Sequence, residues 1–295
     1  MTATPPVATS TDTESLVNNP KGSHPILEIA PSRGWTNLGL KDVWEYRELL
    51  VFLVWREIQG AYRQTALGIT WIFIRPVVNM ILLSLVFGGL VGVSSDDVPY
   101  PLFSLAALLP WGFFTNAVTR ASRSLVENMH MISKVYFPRM VIPIAGAASG
   151  TIDFAASLII FFITLLIYRM PLRLEMLWVP VLMIVAMGFS LAVGLWLATL
   201  SVRFRDVSFA VNFLLQAMMY ASPVIYSVSI VPESLKFLYQ LNPMTGVIQG
   251  FRWALLGSGD PPGQMFLVAI AVVFFLLISG AYVFRRTERT IVDLL

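Results

Sequence analysis

Six apolar runs, each long enough to cross a bilayer as a helix, leave this chain few other ways to fold. They occupy residues 67–93, 101–118, 141–168, 177–202, 207–226 and 264–284. A helix needs about 20 mostly apolar residues to cross roughly 30 Å of hydrocarbon. Within hydrocarbon the backbone must satisfy its own hydrogen bonds, so such runs predict helices. Charged residues make up 13% of the 295, against about 25% in a soluble domain. The expected fold class is therefore all-α, a polytopic membrane protein with six transmembrane helices.

An even number of spans puts both termini on one side, and the basic residues say which. The N-terminal region, the 120–139 loop, the 203–206 turn and the C-terminal segment 286–295, with Arg285 beside it, hold fifteen of the 20 lysines and arginines. The opposite loops hold four, Arg169, Arg173, Lys236 and Arg252, and Arg75 lies inside the first run. Basic loops stay in the cytoplasm, so the asymmetry predicts cytoplasmic termini. The first outer loop, SSDDVPY at 94–100, is acidic and agrees. Dispersal of the basic residues at span ends also argues against a nucleic-acid surface.

The connecting segments carry their own patterns. Residues 1–39 begin with a Ser-, Thr- and Pro-rich stretch that has no apolar core and reads as a disordered cytoplasmic tail. In 40–62, Trp44, Val51, Trp55, Ile58 and Tyr62 share one helical face, which predicts an amphipathic helix lying in the inner interface. In the 120–139 loop, Leu125, Met129, Ile132 and Tyr136 fall at i, i+4, i+7 and i+11, one stripe of a short helix. That stripe either packs on its own bundle or the lipid surface, or it docks a soluble partner. The connection 227–262 lies outside by topology yet is strongly apolar. Pro232 can open one short helix there. Asn242-Pro243 supplies an N-cap and a first-turn proline for a second, which Gly257 can close. Met244, Val247, Ile248, Phe251 and Leu255 line one face of it. Two short re-entrant or interfacial helices shaping an outer gate are expected, with a packed cap on the bundle as the alternative.

Much chemistry is excluded. Without cysteine there is no thiol catalysis or cysteine–metal site, and His24 and His130 are too far apart in sequence to suggest a metal centre. None of the four lysines follows a glycine, so there is no GxxxxGK[ST] phosphate loop. Any ATP-driven engine must sit on another chain. Gly257-Ser258-Gly259-Asp260 superficially matches an intramembrane aspartyl protease motif, but that chemistry needs two carboxylates meeting within the membrane. The motif reads better as a turn before Pro261-Pro262. No catalytic, cofactor or metal residues are assigned. Asp153 and Arg75 are ionisable groups within spans, where they are costly and need a partner or a function. An ion-coupled carrier and a membrane-embedded enzyme are the rival classes. The first would work without any ATPase, and the second would need a cluster of polar catalytic groups that is not seen.

Four blocks then resemble the permeases of type-2 ABC exporters that move polysaccharides, the Wzm-like O-antigen, capsule and teichoic-acid family. They are YRQTALGITWIFIRPVV, ENMHMISKVYFPRMVIP, SVRFRDV, and SPVIY followed by LNPMTGVIQGFRWALLG. The resemblance implies a bacterial cytoplasmic (inner) membrane location and a homodimer with two ATP-binding subunits, which hold ATP and Mg. It implies a lipid-linked polysaccharide as substrate, or in a close alternative drugs or other lipids. Leu125, Met129, Ile132 and Tyr136 would then couple to the ATPase together with Arg205 and Asp206. Trp71, Phe87, Tyr220 and Tyr226 would line the substrate path. The apolar face from Met244 to Leu255 would form the outer gate.

Overall fold

The computed structural model describes residues 40–63 and 67–291, and no strand occurs among them. The expected tail over 1–39 lies outside the described residues, as do positions 292–295 at the C-terminus. Helices α1 (Leu40–Glu45) and α2 (Arg47–Tyr62) come first. The first span is a 3-10 turn, then α3 (Trp71–Leu83), then a π-helical segment Ser84–Leu90. It is followed by α4 (Tyr100–Glu127), the short α5 (Met129–Ile132), and α6 (Val141–Ser149) with α7 (Thr151–Ile167), separated by Gly150. Next come α8 (Val179–Arg203), α9 (Val207–Tyr220), α10 (Glu233–Leu241), α11 (Pro243–Leu256) and α12 (Gln264–Ile291).

Five stretches are long and apolar enough to cross a membrane: Gly68–Leu90, Tyr100–Glu127, Val141–Ile167, Leu174–Arg203 and Phe266–Glu288. The run expected to span at 207–226 gives a helix of only 14 residues, α9. At 1.5 Å per residue that is about 21 Å, short of the hydrocarbon thickness. The helix stops because Pro223 lacks an N–H and disfavours helical geometry at Ser222. The second span departs in the other direction. It continues nine residues past the expected end at 118, so Arg120, Arg123 and Leu125 belong to α4 and not to a loop.

Helix α4 is the centre of the bundle. Of its apolar window 72% is buried, against 6% for the first span. Small residues on its neighbours explain this position. A Cβ at Gly194 of α8 would lie 2.7 Å from the Cβ of Ala121, and one at Gly146 of α6 would lie 3.2 Å from the backbone at Arg120–Ala121. Without lipid-excluding forces between apolar helices, close backbone approach of this kind drives packing. Aromatic contacts fill the wider gaps. Phe114 stacks on Phe189 with ring centroids 5.0 Å apart, and Phe113 meets Phe154 edge-on at 6.4 Å.

Helix α11 closes one end of the bundle. Asn242 caps it by accepting the Met244 N–H at 3.1 Å, Pro243 takes the first position, and Gly257 ends it at φ 70°. A side chain at Gly257 would meet both left-handed strain and the guanidinium of Arg173.

Candidate functional site

Two ends of the molecule and one buried cluster carry the polar chemistry. The first end gathers the segments that sequence grouped together as basic. Asn128 breaks the helix after α4, with its amide donating to Ser124 O at 2.8 Å and its oxygen accepting from Arg56 of α2. The Arg139 backbone N–H donates to Glu288 of α12 at 3.1 Å, and Arg285 of α12 pairs with Asp42 of α1 at 2.9 Å. Arg123 reaches the Ser208 carbonyl at the start of α9 at 3.5 Å. The loop 128–140 is thereby tied to α2 and α12, and α9 begins alongside.

This geometry corrects the expected stripe. Because Asn128 interrupts the helix, Leu125, Met129, Ile132 and Tyr136 do not share one face. Leu125 and Ile132 are interior residues, packed with Leu53, Phe137, Met140 and Phe284. Met129 is half-buried. Only Tyr136, 77% exposed, faces outward, with Val135 and Lys134 beside it. Arg205 and Asp206 are exposed in the α8–α9 turn.

The buried cluster answers the question posed by Asp153. Arg120 Nη2 donates to its carboxylate at 2.8 Å, while Nη1 donates to Ser149 Oγ at 2.8 Å. The Tyr62 hydroxyl and, at 3.4 Å, the Asn116 amide also donate to Asp153. Burial, aided by the Asp153 hydrogen bond, pushes the Tyr62 phenol up to about 12, so it remains a donor at any ordinary pH. Four elements meet here: α2, α4, α6 and α7. The sequence put Arg120 at the edge of the 120–139 loop, outside any span, and so gave no sign of this pairing. The available signal was Asp153 itself, a carboxylate within a span that needs a donor.

The opposite end is built around Arg252 of α11. Its guanidinium donates to the carbonyls of Val224 and Tyr226 at 3.0 Å each, and its carbon lies 3.6 Å above the Phe103 ring. This pins the non-helical segment after α9 onto α4. Asp96 of the first loop accepts from Ser227 at 2.7 Å. Met244, Val247, Ile248, Phe251 and Leu255 are all within 1% of complete burial, so in one chain they form the packed underside of α11 and no open mouth. Phe251 meets Phe154 edge-on at 6.0 Å.

The four aromatics expected along a path are scattered. Trp71 and Tyr220 are exposed, and Phe87 is half-buried. Tyr226 donates to the Tyr220 carbonyl at 2.8 Å and shares a hydrogen bond with the Tyr239 hydroxyl. Among the described residues there is no cluster of three His, Cys, Asp or Glu able to hold a metal.

Known proteins are similar to this chain over most of its length. It is 28% identical over 254 residues to the O-antigen export system permease protein RfbA of Myxococcus xanthus, covering 84% of this chain and 96% of that protein. It is 24% identical over 249 residues to the protein of the same name from Klebsiella pneumoniae, covering 84% and 95%. To the inner membrane transport permease YadH of Escherichia coli K12 it is 30% identical over 216 residues, covering 68% and 83%. Residues 48–256 match the profile of the ABC-2 type transporters, and the chain belongs to that family.

Proposed function

We propose that this chain is the membrane permease of an ATP-driven exporter of a lipid-linked polysaccharide. It works as a homodimer with two separate ATP-binding subunits, in a bacterial inner membrane, with both termini in the cytoplasm. The observation that carries this reading is the alignment, over 84% of the chain, with permeases named for O-antigen export. The lack of any phosphate-binding loop in the chain supports a separate ATP-binding partner, which holds ATP and Mg. Fifteen of the 20 basic residues lie in the segments assigned to the cytoplasm, which supports the orientation.

In this reading Tyr136, Val135, Arg205 and Asp206, exposed at the basic end, meet the ATP-binding subunits. Met129 supports that contact, while Leu125 and Ile132 transmit it into the bundle. Closure of the paired subunits on ATP pushes the loop. Its ties to α2 and α12 pass the push to α4. Helices α3 and α9 present apolar faces that their own chain leaves uncovered, Phe209 and Phe213 among them. A second copy covers them, and the path runs between the copies past Trp71 and Tyr220, with Phe87 and Tyr226 behind. Helices α10 and α11 close the outer end, and α2 lies in the inner interface. Sugars stack on the exposed aromatic faces.

The test is deletion of the gene in its source bacterium, with complementation. Surface polysaccharide should disappear and its lipid-linked form accumulate inside. Normal surface polysaccharide in the deletion strain would overturn the assignment.

A further inference from the structure

The cleft between α3, α4, α7 and α9 contains a cation that the fold does not neutralise. It has a volume of about 370 Å³. Arg75 lines it from α3, and Asn79 follows one turn later. The α3 residues on its wall fall at positions 72, 75, 76, 79, 82 and 83, a single stripe at helical spacing. The two polar side chains of this stripe, Arg75 and Asn79, line the cleft and are exposed at its opening. Asn116 and Asp153 line the far side.

The charges do not balance. Asp153, the one carboxylate on the wall, is already engaged by Arg120, Tyr62 and Asn116. Among the described residues Arg75 has no ion pair and no hydrogen bond. Arg120 is thus spent on Asp153 from outside the cleft wall, and no carboxylate lining the cleft is left to meet Arg75. On a water-soluble surface an unpaired arginine is ordinary. Within a span it is costly unless an anion or water meets it. The hydroxyls of Thr115 and Ser157, also on the wall, are spent on carbonyls of their own helices. The donors left in the cleft are then the forked guanidinium of Arg75, the amide of Asn79 and the indole N–H of Trp111, of which only Arg75 carries charge. A fork of this kind matches two oxygens of a phosphate. The remaining wall, with Leu82, Leu108 and Phe113, is apolar and suits a hydrocarbon tail.

We propose that this cleft binds the phosphate group of a membrane lipid, with Arg75 as its anion-binding side chain. The phosphate can belong to a polyprenyl-linked sugar on its way to export or to an anionic phospholipid resident in the bilayer. The inference rests on the chain being a membrane-spanning transporter and not on which cargo it moves.

The test uses the full chain purified in non-ionic detergent, with lipid binding followed by native mass spectrometry. The probes are a short polyprenyl phosphate, the corresponding polyprenol and phosphatidylglycerol. Polyprenyl phosphate should bind at least tenfold more tightly than the polyprenol. Arg75→Gln should remove that preference, and Arg75→Lys should keep part of it. An unchanged melting temperature in both variants separates loss of binding from loss of fold. Displacement of polyprenyl phosphate by equimolar phosphatidylglycerol identifies a resident-lipid site, and resistance to it identifies a cargo site. Equal binding of phosphate and alcohol, or an undiminished preference in Arg75→Gln, overturns the proposal. Because the readout is binding to purified protein, failure here leaves the export reading standing.

Discussion

Arg120 shows how much one side chain can depend on its surroundings. Its guanidinium is spread over Asp153 and Ser149, with only 20% of the side chain exposed. Removing it leaves Asp153 facing apolar neighbours with only Tyr62 and Asn116 as donors. Breaking a buried pair from one side costs about 3–5 kcal/mol, and partial exposure lowers this. Arg120→Ala is expected to cost about 1–3 kcal/mol in stability. The double variant Arg120→Met/Asp153→Leu should lie closer to wild type than Arg120→Ala, because no charge is left unpaired. Thermal unfolding in detergent reads both. Equal melting temperatures for Arg120→Ala and wild type would mean that the pair does not form.

Among the elements, the loop 128–140 divides into an inward and an outward half. Ile132 is packed against Leu53 and Phe284, whereas Tyr136 stands clear of the bundle. A charge therefore acts differently at the two positions. Ile132→Asp buries a carboxylate in an apolar cluster, a cost of several kcal/mol, and should lower the amount of folded protein. At Tyr136, 77% exposed, an aspartate stays in water and buries no charge in its own chain. If this half contacts the ATP-binding subunit, the variant should fold normally, lose export, and leave ATP turnover of the complex unresponsive to the permease. Protein level, melting temperature and ATPase activity distinguish the cases. Full export from Tyr136→Asp at normal level would show that coupling runs through another element.

For the whole molecule the orientation is the first thing to measure. The chain lacks cysteine, so single cysteines report position without background. Asp97 and Asp260 are exposed at the end that holds α11, and Ser133 is exposed at the basic end. Asp97→Cys and Asp260→Cys should react with an impermeant thiol reagent in intact cells. Ser133→Cys should react only after the membrane is opened. Labelling of Ser133→Cys from outside would invert the proposed arrangement, and with it the side on which an ATP-binding subunit can dock.

Helical class, the rough extent of five spans and the punctuation of α11 were legible from residue types alone. Each depends on local chemistry: apolar length, the cap at Asn242, the left-handed residue at Gly257. The gathering of basic segments at one end also followed, because insertion reads charge along the chain. What periodicity could not supply was the direction in which a face points. Leu125 and Ile132 make an apolar pattern whether they meet a partner or their own bundle, and only the placement of α2 and α12 decided for the bundle. The length of α9 was overestimated because hydropathy does not register how Pro223 stops a helix. Arg120 and Asp153 lie 33 positions apart, and the close approach of α6 to α4 at Gly146, beside Arg120, goes with the placement of α7 that lets them pair. That contact is a property of α2, α4, α6 and α7 together, so only the tertiary structure could turn two costly charges into one satisfied cluster and leave Arg75 in the cleft without a carboxylate to meet it.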